Sequence, residues 1–392
     1  MLRFLTAGES HGKGLAVIID GVPANLKIKP DDIDSVLAAR QQGYGRGGRQ
    51  QIEKDRVEIL SGIRFGKTTG APLSFIIKNR DYENWLDIMD LSKRRPGIKE
   101  YNVPRPGHAD LAGGIKFRQY DFRNVLERAS ARETAARAAA GAVAKKILEE
   151  LNIKIIGFTA SIGDVHSFKN ISMGPDEISA EIKKADKKTG AVIRMPDPVK
   201  AALAKKAIMA AAGKKDTLGG RVGIVTSPIA PGIGDYTQWD KKLDGLISMA
   251  VMSLQSVKAV SIGAGFEYAE KSGAAMHDAI KYSEKKGYYR KTNNSGGFEG
   301  GMTNGMPVRV FAALKPISTV GRGVETVDIK SKNTTRTVYE RSDVCAVPAA
   351  AVIAEGIVAV ELVKGLQRQF GGDEMLRMKK AYFAYKKYTE KF

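Results

Sequence analysis

The sequence predicts an α+β protein with mixed or antiparallel sheets. Strand-like and helix-like runs interleave without the regular strand–helix–strand rhythm of a doubly wound sheet. Short apolar runs end in glycine or proline, as Leu15–Asp20 does before Gly21-Val22-Pro23, and so have the length of strands. Hydrophobic residues make up 43% and charged residues 27% of 392 positions, enough to fill a large core.

In order along the chain, residues 1–28 read as two strands joined by the Gly8–Gly14 loop. Residues 31–40 read as a helix, with acids in its first turn and Arg40 at its end. Gly43–Arg49 is a flexible basic loop, and Val57–Ile63 and Pro72–Lys78 are strands around a Gly66–Gly70 turn. Residues 79–124, rich in Arg, Pro and Gly, suit an irregular covering loop. Ser130 and Glu133 have capping-box spacing before an alanine-rich helix that runs to about Glu150. Strands are expected at 153–162, 221–227, 257–266 and 307–314, and helices at 175–187, 198–212, 240–256, 347–366 and 373–388. Gly287–Gly305 reads as a second long loop, and no repeat or low-complexity linker divides the chain.

Composition bounds the function. No apolar run approaches the roughly 20 residues of a membrane span, and no signal-peptide pattern opens the sequence. Cys345 is the only cysteine, which excludes an internal disulfide and a cysteine-based zinc site. The cytoplasm is the simplest compartment. The net charge of +20 has three readings: nucleic-acid binding, ligands with several negative charges, or a lysine-rich solvated surface. The lysine pairs fit the last. The arginines beside glycines or at helix ends, including Arg40, Arg46, Arg49, Arg128, Arg132 and Arg341, suit bidentate capture of phosphate or carboxylate. A nucleic-acid surface would need aromatics among basic residues. The nearest candidate is Tyr282, Tyr288 and Tyr289 beside Lys285, Lys286 and Arg290.

Two phosphate-loop patterns fail. Gly43-Tyr44-Gly45-Arg46-Gly47-Gly48 has the letters of a dinucleotide fingerprint, but a helix precedes it where a strand is required. Gly66-Lys67-Thr68 lacks the first glycine of a P-loop, since Ser61 stands there. Other segments do point to a site. His11 lies between glycines in Gly8-Glu9-Ser10-His11-Gly12, where little side-chain bulk keeps a ligand away. His108 sits in the stiff frame Arg105-Pro106-Gly107-His108-Ala109-Asp110. No third ligand stands at a suggestive spacing from these histidines, so no metal is expected. Ser130, flanked by Arg128 and Arg132, would start a helix whose N-terminus attracts anions. Lys315-Pro316-Ile317-Ser318-Thr319 brings a lysine and two hydroxyls to a strand end, and Gly296–Gly305 allows close backbone approach to a flat ligand.

Taken in order, Gly8–Gly12, Arg105–Asp110, Arg128–Thr134, Gly297–Gly305, Lys315–Thr319 and Arg341-Ser342-Asp343 resemble the chorismate synthase family over nearly the whole chain. Ala129 and Ser342 depart from it, where many members carry serine and histidine. The resemblance implies a single large domain, a β-α-β sandwich with helices packed between antiparallel sheets, in a homotetramer. It implies conversion of 5-enolpyruvylshikimate 3-phosphate to chorismate and phosphate by 1,4-anti elimination, the last step of the shikimate pathway towards aromatic amino acids. Reduced FMN is required without net redox change.

By motif position, the resemblance makes His11, His108 and Asp343 catalytic. Ser10, Arg40, Arg46, Arg49, Ser130, Arg132 and Arg341 would bind substrate. Arg128, Ala129, Ser130, Gln255, Ser256, Gly300, Lys315, Pro316, Ile317, Ser318, Thr319 and Arg341 would hold FMN. Some members reduce their FMN with NADPH. This chain shows no dinucleotide-binding pattern, so an external flavin reductase is the expected source of electrons. No specific nucleic acid and no membrane are expected as partners.

Overall fold

The computed structural model describes residues 1–48, 53–167, 172–284, 287–337 and 342–392; Arg49, Arg341, Lys285 and Lys286 lie outside them. Two antiparallel sheets enclose a layer of helices. The first contains β1 (Arg3–Gly8), β2 (Gly14–Asp20), β3 (Val57–Ser61) and β4 (Leu73–Lys78), in spatial order β1-β2-β4-β3. The second contains β5 (Ile155–Ile162), β6 (Val165–His166), β7 (Gly220–Pro228), β8 (Val257–Ile262) and β9 (Pro307–Leu314), in order β8-β9-β7-β5-β6.

Alternation sets the inner face of the first sheet. Leu15, Val17 and Ile19 of β2 and Leu73, Phe75 and Ile77 of β4 are all buried. Leu5 and Ile18, opposite each other in register, are 72% and 48% exposed on the outer face. In the second sheet Val308, Val310, Ala312 and Leu314 of β9 point inward with Val222 and Ile224 of β7.

The helices are α1 (Pro30–Gln41), α2 (Asp110–Phe117), α3 (Arg123–Ala129), α4 (Thr134–Glu150), α5 (Pro175–Thr189), α6 (Pro198–Gly213), α7 (Leu243–Met252), α8 (Val347–Phe370) and α9 (Met375–Thr389). Helix α4 packs on β2, α8 packs on β5 and β7, and α1, α4 and α8 pack on one another between the sheets. Helix α8 is apolar nearly all round, as a helix with no solvent face must be. Gly141 of α4 meets Gly356 of α8 so closely that a Cβ on Gly141 would lie 2.5 Å from the Gly356 Cα. Outside the second sheet, Ile178 and Ile182 of α5 cover Phe158, Ala160 and Val225.

The expected elements form with four differences, one being that the strand expected over 257–266 ends at Ile262. Residues 79–124 hold a 3-10 turn, Arg80–Trp85, closed by Asp81 bonds to Asn84 and Trp85, as well as α2 and the start of α3. The helix expected over 240–256 shortens to α7. Gly287–Gly305 carries strand Gly287–Arg290, paired with Ile280–Ser283, and a hairpin of Phe298–Glu299 with Met302–Thr303. Tyr282 faces Tyr288 across the first of these pairs, and such aromatics favour strands over loops.

Candidate active site

All of the motifs but Gly297–Gly305, far apart in sequence, contribute residues to one cavity of about 670 Å³. The β1–β2 turn brings Ser10 and His11, the end of α1 brings Arg40, and the following segment brings Arg46 and Gly47. The turn before α4 adds Ala129, Ser130 and Arg132, and the α7–β8 connection adds Gln255 and Ser256. Lys315, Ile317, Ser318 and Thr319 follow β9, and Ser342 and Asp343 lead into α8. Trp85, Arg105 and His108 close the side formed by residues 79–110. Leu218, Val222, Leu254, Val257, Leu314 and Ile353 give an apolar wall.

Three of the expected residues do not line this cavity. Arg128 is exposed and donates to the carbonyls of Thr6 and Gly8. Gly300 lies at the tip of the Phe298–Thr303 hairpin, and Pro316 is exposed.

Ser130 caps a 3-10 turn, Ala131–Glu133, rather than an α-helix, accepting from the Arg132 amide at 3.3 Å. Glu133 does not complete a capping box. Its carboxylate instead accepts from Thr6, Arg137 and Gln255. The Ser130 hydroxyl donates to that of Ser10 at 3.1 Å.

The buried arginines are only partly free to meet a ligand. Arg132 donates through Nη1 to both oxygens of Asp55 at 2.7 Å and through Nε to Asn79 at 2.8 Å. Arg40 binds Asp55, Thr134 and the Ala131 carbonyl. Burial pulls the Arg40 guanidinium down to about 9, against the raising effect of Asp55, so it stays charged at neutral pH. Arg46 pairs with Asp343 at 2.8 Å. Among the described residues, Arg46 Nε, Arg132 Nη2 and Gln255 Oε1 are buried without a hydrogen-bond partner, and all three residues line the cavity. Buried polar atoms are normally paired, so the two arginine N–H groups are where an anionic ligand would bond, while Gln255 Oε1 can only accept from a ligand N–H or O–H.

Each cavity histidine has its own carboxylate. His11 Nδ1 lies 2.9 Å from Glu127, and His108 Nδ1 lies 2.5 Å from Asp110. Arg105 donates to Asp110 and Thr319, tying the His108 loop to the strand end. Lys315 Nζ donates to the Gly107 carbonyl across the same gap. Burial, then Lys258, lowers the Lys315 amine below its ordinary range. Burial alone would raise Asp110, but hydrogen bonds from His108 and Arg105 outweigh it and hold the carboxyl well below the usual range.

The carboxylates Glu53, Asp55, Asp110 and Glu127, and Trp85, were not singled out as acting side chains by the sequence. Only Asp110 lay inside a recognised motif. Among the described residues no group of three or more His, Cys, Asp or Glu side chains could hold a metal, and no helix is long and apolar enough to cross a membrane. The alternative basic surface is weakened, since Arg290 is engaged by Glu299 at 2.6 Å.

A cavity walled on one side by apolar side chains and on the other by buried cations and carboxylate-backed histidines defines an enzyme acting on an anionic small molecule. The family model described as chorismate synthase matches residues 2–366. A chorismate synthase of Aquifex aeolicus (strain VF5) is 48% identical over 100% of this chain and 99% of its own length. That of Listeria monocytogenes is 44% identical over 100% of both chains. A solved structure titled "Crystal Structure of Chorismate Synthase" superposes with a TM-score of 0.80 at 42% identity, covering 100% of this chain and 99% of that one. The chain belongs to the chorismate synthase family, whose members are lyases.

Proposed function

We propose that this chain eliminates phosphate from 5-enolpyruvylshikimate 3-phosphate to give chorismate, with reduced FMN bound in the same cavity. The observation that carries this reading is the placement of Arg46 Nε and Arg132 Nη2, both buried without a hydrogen bond, in one cavity with His11 and His108. Two carboxylates and a phosphate on the substrate, with the FMN phosphate beside them, repel one another by several kcal/mol unless cations offset them.

The residues present fit the flavin. The apolar wall suits a flat ring system, and Ala129, Ser130, Gln255, Ser256, Lys315, Ile317, Ser318 and Thr319 line the cavity where they could hold it. Bound reduced FMN would supply electron density next to the substrate ring. The chain's own part is to bind, orient and protonate. The C–O bond to phosphate breaks with its electron pair, the existing ring double bond shifts onto that carbon, a second double bond forms to C6, and the proton lost from C6 would be taken up by a base that bound reduced FMN would supply. His11 donates a hydrogen bond or proton to the departing oxygen. His108, held by Asp110 and Arg105, acts at the flavin side, where Asp343 fixes Arg46. Ser10 and Ser130, already bonded to each other, turn their hydroxyls to the ligands. Arg49 and Arg341 join the cation set by motif position.

Purified chain, assayed anaerobically with the phosphorylated substrate and reduced FMN, should release phosphate and chorismate together. Lack of phosphate release would overturn the reading. In the same reading the enzyme is a cytoplasmic homotetramer supplied by an external flavin reductase. The exposed Leu5–Ile18 pair supports assembly, because apolar surface of this kind favours contact with another copy. Light scattering that found a monomer would remove that part.

A further inference from the structure

We infer that Glu127 is the positioning residue for His11, fixing which ring nitrogen serves the cavity; this rests on His11 being the proton donor. Glu127 does not line the cavity, and its side chain is 2% exposed. Its Oε2 accepts the His11 backbone N–H at 2.7 Å, and both carboxylate oxygens approach His11 Nδ1, at 2.9 and 3.1 Å. Its carbonyl accepts the Ser10 amide at 3.0 Å, so one residue of α3 sets the whole Ser10–His11 turn.

The ring is held on its face as well as its edge. Trp85 stacks on the imidazole with centroids 3.8 Å apart and planes 25° apart. Asp81 accepts from Trp85 Nε1 at 3.1 Å. Arg123 lies over the other ring system, 5.1 Å from Trp85, and reaches Glu127 at 3.3 Å. Among the described residues, the charged groups placed against His11 and its stacking partner include Glu127 and Arg123 on α3 and Asp81 behind Trp85, and Glu9 lies two residues before it in the same turn.

The chemistry follows from what a carboxylate can do. A carboxylate only accepts, so Nδ1 must carry a proton whenever this contact is made. Nε2 then has a proton to give only when the ring is cationic, and Glu127 balances that cation away from water. After transfer, the neutral ring keeps Nδ1–H on Glu127 and needs no rearrangement. Burial alone would raise the Glu127 carboxyl, but the hydrogen bond and charge of His11, with help from Arg123, hold it below the ordinary range.

Glu127→Gln keeps the shape and removes the charge. Turnover should fall about 10–100-fold, by analogy with the cost of losing the carboxylate partner of a metal-binding histidine, with KM changed far less. A Glu127→Gln, His11→Ala double variant should be no slower than His11→Ala, because the two act as one unit. Glu127→Asp should restore part of the rate. Nitrogen NMR of the ring, assigned by loss of its signal in His11→Ala, should show Nδ1 protonated in the native enzyme at every pH where it is folded. A neutral ring protonated on Nε2 instead, or wild-type turnover in Glu127→Gln, would overturn the assignment. Wild-type turnover in His11→Ala would sink the donor reading instead, and the ring spectrum would still decide the positioning.

Discussion

Asp343 holds Arg46 at 2.8 Å and accepts the Gly47 amide at 2.7 Å. The resemblance makes the carboxylate catalytic and the arginine a substrate ligand. Their pairing ties the start of α8 to the segment after α1, and Val344 and Cys345 both donate to the Gly45 carbonyl beside it. The Gly43–Arg46 stretch is thus docked rather than flexible.

Asp343→Ala should free this segment. Losing hydrogen bonds to a charged partner costs roughly 1.5–3 kcal/mol, and hydrogen exchange at Tyr44–Gly47 should speed up accordingly. Asp343→Asn, which still accepts from Gly47, should keep slower exchange. If Asp343 only fixes Arg46, the Asn variant retains most of the turnover. An Asn variant as slow as the Ala variant would show a proton-carrying role.

Arg132 makes a separate case, because its partners are buried. Asp55, which it binds through both oxygens, has a side chain that is 0% exposed, and Glu53 lies 3.8 Å away. Arg132→Ala would leave Asp55 paired with Arg40 alone and take the ion pair from Glu53, so the loss should approach the lower end of the roughly 3–5 kcal/mol typical of breaking a buried pair. Urea denaturation should therefore show a large loss of stability as well as weaker substrate binding. An unchanged midpoint would make Arg132 a ligand contact only.

These pairs show where sequence reasoning stops. Alternation and end signals placed β1, β2, β4, β9, α1, α5, α6 and α8 close to their observed bounds, because local periodicity dictates them. The motifs named most of the cavity lining, because His11, Ser130, Lys315 and Asp343 sit in distinctive settings of glycine, proline and charge. Their partners were not legible. Glu127 lies on an ordinary short helix, and Asp55 lies in Glu53-Lys54-Asp55, with no pattern marking either. Long-range pairing is a property of the packed sheets and helices. The same limit hid that much of the hydrogen bonding of Arg40 and Arg132 is spent on Asp55 and its neighbours.

Acid should unfold the protein through its paired carboxylates. Asp110, Glu127 and Glu133 are each held below their ordinary values of 3.8, 4.5 and 4.5. A depressed folded value means the stabilisation is present above the unfolded value and is lost as pH falls through the folded one. Thermal midpoints should therefore drop as pH goes from about 5 towards 2. Asp110→Asn should be less stable at neutral pH and lose less on acidification. Parallel curves for the variant and the native chain would remove Asp110 from this account.

FMN and substrate should bind co-operatively, since the shared cavity lets each cover the other. Calorimetry with oxidised FMN should give tighter binding when the phosphorylated substrate is present, and equal affinities would count against a stacked site. NADPH alone should not sustain turnover, whereas a flavin reductase or chemically reduced FMN should. Sustained turnover on NADPH alone would show that the cavity admits a nicotinamide.

His11 carries the sharpest commitment. As phosphate leaves, negative charge grows on its oxygen, so a proton donor there lowers the barrier more than it strengthens ground-state binding. Such assistance is worth about 10²–10⁴ in rate. His11→Ala should lose turnover by about that factor with reduced FMN supplied, while KM and FMN affinity change little. His166, on the short edge strand β6, is exposed and lies outside the cavity lining. His166→Ala should therefore turn over at the native rate and serves as the control for a general effect of losing an imidazole. Equal rates in the two variants would reduce His11 to a turn residue, and the elimination would need another proton donor.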